Sequence, residues 1–325
     1  MVPKLAYRDA LRHALIDAMR EDPDVFVIGE EVGRYGGAYG VTKGLIEEFG
    51  PERLLDTPIS EPAIVGTAVG AAMAGMRPVA ELMYVDFIGM TMDQLCNQAA
   101  KIRYMFGGQI GVPMVLRTQG GTGRSAGAQH SQSLEAYIMH TPGLRLAMPA
   151  TVYDAYHLLR QSLKQPDPVV FIEHKSLYAM TDEVDLSVEP PEWGKAVIRR
   201  DGDDVVIISY SRQVHYALQA ADKLAAHGRE AMVIDLRTLN PLDFDTIREA
   251  VEKVGKVLVV SEGAITCGVS AELAARISEE CFDFLEEPVI RVAGEDIPIS
   301  VSVELERNSV PTVDLIFETA QRVFS

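Results

Sequence analysis

Apolar residues recur along this chain at two spacings, and the chain switches between them many times. Between residues 7 and 20 they fall at Leu11, Ala14, Leu15 and Ala18, the three-and-four step of one helix face. Residues 25–28 form an unbroken apolar run, too short for a helix and rich in Val, which predicts a buried strand. The same reading predicts strands at 78–82, 112–117, 144–148 and 169–172, with helices at 41–49, 87–104 and 152–163. A small-residue helix is expected from 63 to 76, and glycine-rich loops at 33–40 and 120–127. The stretch 180–193 is acidic and holds Pro190-Pro191, so it reads as a linker. After it the alternation restarts, with strands at 205–209, 230–235, 257–261 and 289–292 and helices at 213–227, 244–254, 269–281 and 313–324. Helices between continuous apolar strands imply parallel sheets covered on both faces. The fold class is therefore α/β with two parallel-sheet domains, residues 1–187 and 188–325.

Composition narrows the function. At 325 residues and 47% hydrophobic, the chain can fill two cores. Its net charge of −17 argues against nonspecific binding to nucleic acid or to anionic membranes. Cys96, Cys267 and Cys281 have no CxxC spacing, so neither a disulfide framework nor a zinc site is expected, and no metal ligands are assigned. No signal-peptide core opens the chain, and the uncharged stretch 63–76 is too short to span a bilayer; the expected location is cytoplasmic. Gly66, Gly70 and Gly75 in that stretch read as a helix packed closely on another backbone, at a subunit interface.

One carboxylate stands out. Glu61 lies at the mouth of the uncharged segment that follows Asp56-Thr57-Pro58-Ile59-Ser60. Folding would desolvate a carboxylate placed there, which readies it for proton exchange. On its own it reads first as a helix-start charge favoured by the helix dipole, and its company further along the chain lifts it. Glu30 follows the first strand, and the carboxyl end of a parallel strand favours a site. His130 lies just after the second glycine loop, where a histidine is as often structural as chemical.

Taken together the motifs are specific. They run from Asp56-Thr57-Pro58-Ile59-Ser60-Glu61 through Gly70–Pro78, Gln98-Ala99-Ala100-Lys101, Gly107-Gly108-Gln109 and Gln129-His130-Ser131-Gln132 to Asp235-Leu236-Arg237-Thr238-Leu239-Asn240-Pro241 and Glu262-Gly263. In this order they closely resemble the beta subunit of the thiamine-diphosphate-dependent decarboxylase component of 2-oxo acid dehydrogenase complexes. The resemblance implies a pyrimidine-binding domain followed by a transketolase-type C-terminal domain. It implies that Glu61 holds a pyrimidine-ring nitrogen of the cofactor, readying the thiazolium carbon for attack on a 2-oxo acid. Glu30, Ile59 and Ser60 are then expected beside the cofactor, with Tyr84 as an aromatic wall and Met83 and Phe87 as further wall candidates. Tyr84 stands where many relatives carry Phe, so its hydroxyl needs a partner. The resemblance makes Glu61 and His130 the catalytic residues, His130 orienting the 2-oxo acid and assisting acyl transfer to a lipoyl group.

The resemblance also says what this chain lacks. No Gly-Asp-Gly segment is present to bind a Mg2+ ion and the diphosphate. An alpha subunit is therefore expected to hold them, in an assembly of two alpha and two beta chains. A dihydrolipoyl acyltransferase core is expected to dock on the acidic C-terminal domain. Some relatives hold a structural potassium ion near 162–167, where Gln165 and Pro166 depart from the family pattern. Pyruvate is the favoured substrate. Strings such as Gly123-Arg124-Ser125-Ala126 also resemble acetoin dehydrogenase beta subunits. A noncatalytic scaffold subunit is the alternative of another class, against which the retention of both Glu61 and His130 argues.

Overall fold

In a computed structural model, which describes residues 4–324, the chain falls into two compact units. The first comprises the chain up to Gly120 together with Tyr137–Pro190; the second comprises Gly121–Ala136 together with the chain from Pro191 onward. The glycine loop and the His130 segment thus depart from the unit that precedes and follows them in sequence.

The first unit is built on strands β1 (Lys4–Ala6), β2 (Val25–Gly29), β3 (Leu54–Asp56), β4 (Arg77–Leu82), β5 (Val115–Gly120), β6 (Arg145–Ala147), β7 (Val169–His174) and β8 (Thr181–Glu183). Six of them lie side by side in the order β6-β7-β5-β4-β2-β3, every pair parallel. Strands β2, β4, β5 and β7 are buried almost throughout, which is why β2 and the first four residues of β7 read as unbroken apolar runs. The helix Tyr7–Glu21 buries Leu11, Ala14, Leu15 and Ala18, the stripe expected of it, and packs on Val152–Leu163. Strands β1 and β8 pair antiparallel, so part of the stretch read as a linker is strand.

Three local readings change. Of the helix expected at 41–49 only Leu45–Phe49 forms, because Gly44 immediately before it takes φ 86°, in the left-handed region. The stretch expected as one α-helix from 87 to 104 winds as a 3₁₀-helix over Val85–Thr91, a π-helix over Asp93–Ala99 and an α-helix only at Ala100–Met105. Its buried positions explain this: Val85, Ile88 and Thr91 step by three, then Leu95 and Ala99 step by four. The small-residue helix runs Glu61–Met73 and buries Ile64, Val65, Ala68, Val69 and Ala72. Among the described residues its glycines meet no other backbone. A methyl at Gly66 would touch only the Gln94 side chain at 3.6 Å, and one at Gly70 would enter open space. Gly75 lies beyond the helix and turns the chain at φ 99°.

The second unit carries β9 (Val197–Arg200), β10 (Val205–Ser209), β11 (Ala231–Asp235), β12 (Thr238–Asn240), β13 (Val257–Ala264) and β14 (Ile290–Gly294). Its sheet runs β14-β13-β10-β11-β9, parallel except for the antiparallel edge strand β9. Val205, Ile207, Leu258 and Val260 form a core with Leu224 and Ile316 of the helices Gln213–Ala226 and Val313–Arg322. Among the described residues no helix is long and apolar enough to cross a membrane.

Candidate functional site

The first unit gathers its candidate residues at the carboxyl ends of three adjacent strands. Gly29, the last residue of β2, stands beside Asp56 of β3 on one side and Glu81 of β4 on the other. Glu30 follows β2 directly, Glu61 opens the helix after β3, and Met83 and Tyr84 follow β4. Hydrogen bonds stitch these connections together. Thr57 N donates to Gly29 O at 3.0 Å. Gly33 N and Arg34 N donate to the Asp56 carboxylate at 2.6 and 3.2 Å. Carboxyl ends of neighbouring parallel strands are where α/β sheets place ligands.

Glu30 and Glu61 are both buried, 7% and 5% exposed. Burial pushes the Glu30 carboxyl above the usual carboxylate range, and the charge of nearby Glu61 pushes it further. Ser60 takes the position that caps the Glu61 helix; its carbonyl, rather than its hydroxyl, accepts from Ala63 N and Ile64 N, each at 3.0 Å. Ile59 is 81% exposed, and Met83, Tyr84 and Phe87 are half-buried. An exposed isoleucine beside buried carboxylates leaves apolar surface for a ligand to cover.

Tyr84 meets Phe87 edge to face at 6.1 Å. Its hydroxyl lies 3.2 Å from that of Tyr39, which supplies the partner its sequence position called for. Tyr39 packs on Tyr178 at 4.8 Å, and the Tyr178 hydroxyl donates to Glu173. Arg117 forks onto Glu173, with Nη2 3.0 Å from Oε2, and also donates to Glu81. Burial opposes the charge on Arg117, yet Glu173 and Glu81 together hold its pKa well above the ordinary arginine value. Burial raises Glu173, and Arg117 offsets part of that. The glycine loop packs down on this cluster, since a Cβ on Gly37 would stand 2.7 Å from Glu81 Oε1. Tyr39 was not singled out from sequence; its only signal is an aromatic residue inside a glycine-rich loop. The ion cluster had a stronger signal, for Glu173 directly follows the apolar run of β7 and Arg117 lies inside the buried strand β5.

His130 belongs to the second unit. Its loop closes at the base through Gly121 N to Gln132 O at 2.9 Å. Glu262 accepts from Thr122 N at 2.6 Å and Thr122 Oγ1 at 2.9 Å, and pairs with Arg212 at 2.7 Å. Glu306 accepts from Gly123 N at 2.9 Å and Ser125 N at 3.0 Å. Glu135 accepts from the Tyr210 hydroxyl at 2.7 Å, and its carboxyl is pushed up by burial. The loop lines two clefts of this unit, of about 640 and 340 Å³, with Thr122 in both. His130 itself is half-buried, and its backbone N–H donates to Gly127 O at 3.2 Å. The structure thus brings Glu30 to Glu61 and Tyr84 to Phe87, and builds the His130 segment on a separate set of carboxylates. Among the described residues no group of three or more His, Cys, Asp or Glu is arranged to hold a metal ion. At 162–167, Arg145 takes the Gln165 side chain at 2.7 Å and Asp167 at 2.9 Å, and Arg103 adds a second guanidinium to Asp167 at 3.4 Å.

Comparison with known proteins gives this geometry a family setting. Residues 3–181 match the transketolase pyrimidine binding domain and residues 194–316 the transketolase C-terminal domain. The chain is 45% identical over 98% of its length, and 86% of the relative's, to the pyruvate dehydrogenase E1 component subunit beta-2, mitochondrial, of Oryza sativa subsp. japonica. It is 42% identical to the pyruvate dehydrogenase E1 component subunit beta of Rickettsia bellii over 98% of both chains. It is 43% identical to the acetoin:2,6-dichlorophenolindophenol oxidoreductase subunit beta of Cupriavidus necator over 99% of this chain and 98% of that one. Among solved structures, a split-gene transketolase described as an inactive beta4 tetramer shares the fold, with TM-score 0.81 at 20% identity over 98% of this chain and 97% of that one.

Proposed function

We propose, because the chain belongs to the transketolase-like family that includes the beta subunits of pyruvate dehydrogenase E1 components, that it is the beta subunit of a thiamine-diphosphate-dependent 2-oxo acid dehydrogenase component acting on pyruvate. The observation that carries the proposal is the buried Glu30–Glu61 pair at the strand ends of a pyrimidine-binding domain. A buried carboxyl able to hold or release a proton suits a ring nitrogen as partner, and a flat aminopyrimidine suits the Tyr84–Phe87 wall and the exposed Ile59. When bound, thiamine diphosphate supplies an electron sink for decarboxylation of the 2-oxo acid. This chain's part is to orient the pyrimidine with Glu30, Ser60, Ile59, Met83, Tyr84 and Phe87 and to exchange its proton through Glu61. His130 is the substrate-side group that orients the 2-oxo acid and assists acyl transfer to a lipoyl group.

An alpha subunit completes the reading, in a two-alpha, two-beta assembly. It carries the Mg2+ and diphosphate site, for which this chain has no Gly-Asp-Gly segment. The acyltransferase core docks on the acidic second domain. A structural potassium ion at 162–167 would rely on backbone carbonyls, since the Asp167 carboxylate is paired with Arg103 and Arg145. Acetoin cleavage is the second reading, favoured by 43% identity to the acetoin oxidoreductase subunit over nearly all of both chains. Nothing supports a noncatalytic scaffold. The test is reconstitution with the alpha subunit, followed by thiamine-diphosphate-dependent turnover of pyruvate, branched 2-oxo acids and acetoin with a lipoyl acceptor. Turnover of pyruvate is expected. An assembled complex that binds the cofactor and turns over none of the panel would overturn the proposal.

A further inference from the structure

The loop that carries His130 offers its backbone N–H groups inward, as a nest does for an anion. Ser125 adopts φ 51° and Gly123 φ 97°, so N–H groups on both sides of Arg124 converge on one point. That point is filled by the second unit itself. Glu306 is 3% exposed; Oε1 accepts from Gly123 N at 2.9 Å, and Oε2 accepts from Ser125 N at 3.0 Å and Ser125 Oγ at 3.3 Å. The same stretch of chain touches the loop again further along, where a Cβ on Gly127 would stand 2.9 Å from Val301 Cγ1. Glu306 sits on the short helix Val303–Asn308, held by Glu306 N to Ser302 O at 2.8 Å and by Ser309 N to Leu305 O at 3.1 Å. A loop with four glycines between residues 120 and 127 has many backbone states open to it. A carboxylate gripping alternate N–H groups selects one of them, and charge-assisted bonds of this kind are the strong ones.

We infer that Glu306 is a positioning residue, its carboxylate acting as a built-in anion that fixes the conformation of residues 121–130 and thereby the presentation of His130. The inference rests on the reading of His130 as the substrate-side group, and adds a residue some 180 positions away that controls it.

Hydrogen exchange on the full chain, alone and assembled with the alpha subunit, tests the grip directly. Glu306→Gln keeps the shape and removes the charge; Glu306→Asp keeps the charge on a shorter arm. The Gly123 and Ser125 amides should exchange about 10- to 100-fold faster in Glu306→Gln, with Glu306→Asp intermediate. The exposed neighbour Glu304→Gln should leave them unchanged. Unchanged protection in Glu306→Gln and Glu306→Ala would overturn the inference, and a folding failure would show as lost protection in β10 and β13 as well. The reaction separates the remaining outcomes. Glu306→Gln should lower kcat for acyl transfer more than it changes the cofactor's Kd, and should add little to His130→Ala. If the loop loosens and His130→Ala slows transfer but Glu306→Gln does not, the positioning role fails. If Glu306→Gln slows transfer and His130→Ala does not, the reading of His130 fails and the grip stands.

Discussion

Replacing Arg117 with methionine should cost the first unit a large part of its stability. Arg117 is 2% exposed, and its guanidinium is the counter-charge for Glu173 and Glu81, both buried. The Tyr178 hydroxyl also donates to Glu173 but brings no charge. Methionine fills similar volume, so the loss comes from two carboxylates left in the interior. Removing one partner of such a group typically costs about 3–5 kcal/mol. A domain's whole stability is about 5–15 kcal/mol. At about 2–4 °C per kcal/mol for a domain of this size, the melting temperature should fall by roughly 6–20 °C. The sign with pH follows from Glu173, whose carboxyl burial already holds above the ordinary range. With Arg117 gone, less offsets that burial. A carboxyl raised by folding is fully stabilising below its unfolded value, roughly 4.3, and loses that contribution as pH rises through its folded value. The gap between wild type and Arg117→Met should therefore be full at neutral pH and narrow toward about pH 4. Glu81→Gln and Glu173→Gln, added to Arg117→Met, should recover most of the loss. Calorimetric melts across pH are the assay. A single variant melting within about 2 °C of wild type, or a gap independent of pH, would refute the reasoning.

Glu61→Gln should preserve fold and assembly and lower turnover about 10²- to 10⁴-fold, measured on the reconstituted complex; near-normal turnover would remove Glu61 from its role. His130→Ala should slow acyl transfer while calorimetry finds thiamine diphosphate affinity little changed, and a collapse of affinity with normal turnover per bound cofactor would make it a binding residue. Burial raises Glu135, and the charge of Glu262 adds to that, so wild-type stability should decline as pH rises through the folded value of Glu135. Glu135→Gln keeps an acceptor for Tyr210 and should flatten that slope in urea titrations over a pH series; parallel slopes would contradict it.

The sheets were legible because strands covered on both faces are mostly apolar, and the short runs 25–28, 169–172 and 205–208 are unbroken and rich in Val and Ile. Winding was less legible. A spacing of three at Val85, Ile88 and Thr91 lies too near the α-helical period for a short stretch to declare itself. The glycines of 66–75 report permission for close approach, and composition cannot name the approaching surface; Gly70 faces open space in the single chain. Glu30 and Glu61 were legible as carboxylates at strand and helix ends, and their mutual field needed the neighbouring strands β2 and β3 to be in register. The grip on the His130 loop was beyond reach, since Thr122 finds Glu262 across 140 positions and Gly123 finds Glu306 across 183. Local pattern carries no information about partners at that distance.

The excursion of Gly121–Ala136 into the second unit bears on how such genes can recombine. A single crossover between residues 187 and 190, at the apparent seam, would join a loop from one parent to the carboxylates of another. Glu135, Glu262 and Glu306 each answer a partner drawn from the two sides of that seam in the sequence. A hybrid that kept its matched contacts would inherit Gly121–Ala136 together with everything from Pro191 onward, and would therefore need three breakpoints where the linear order of domains suggests one.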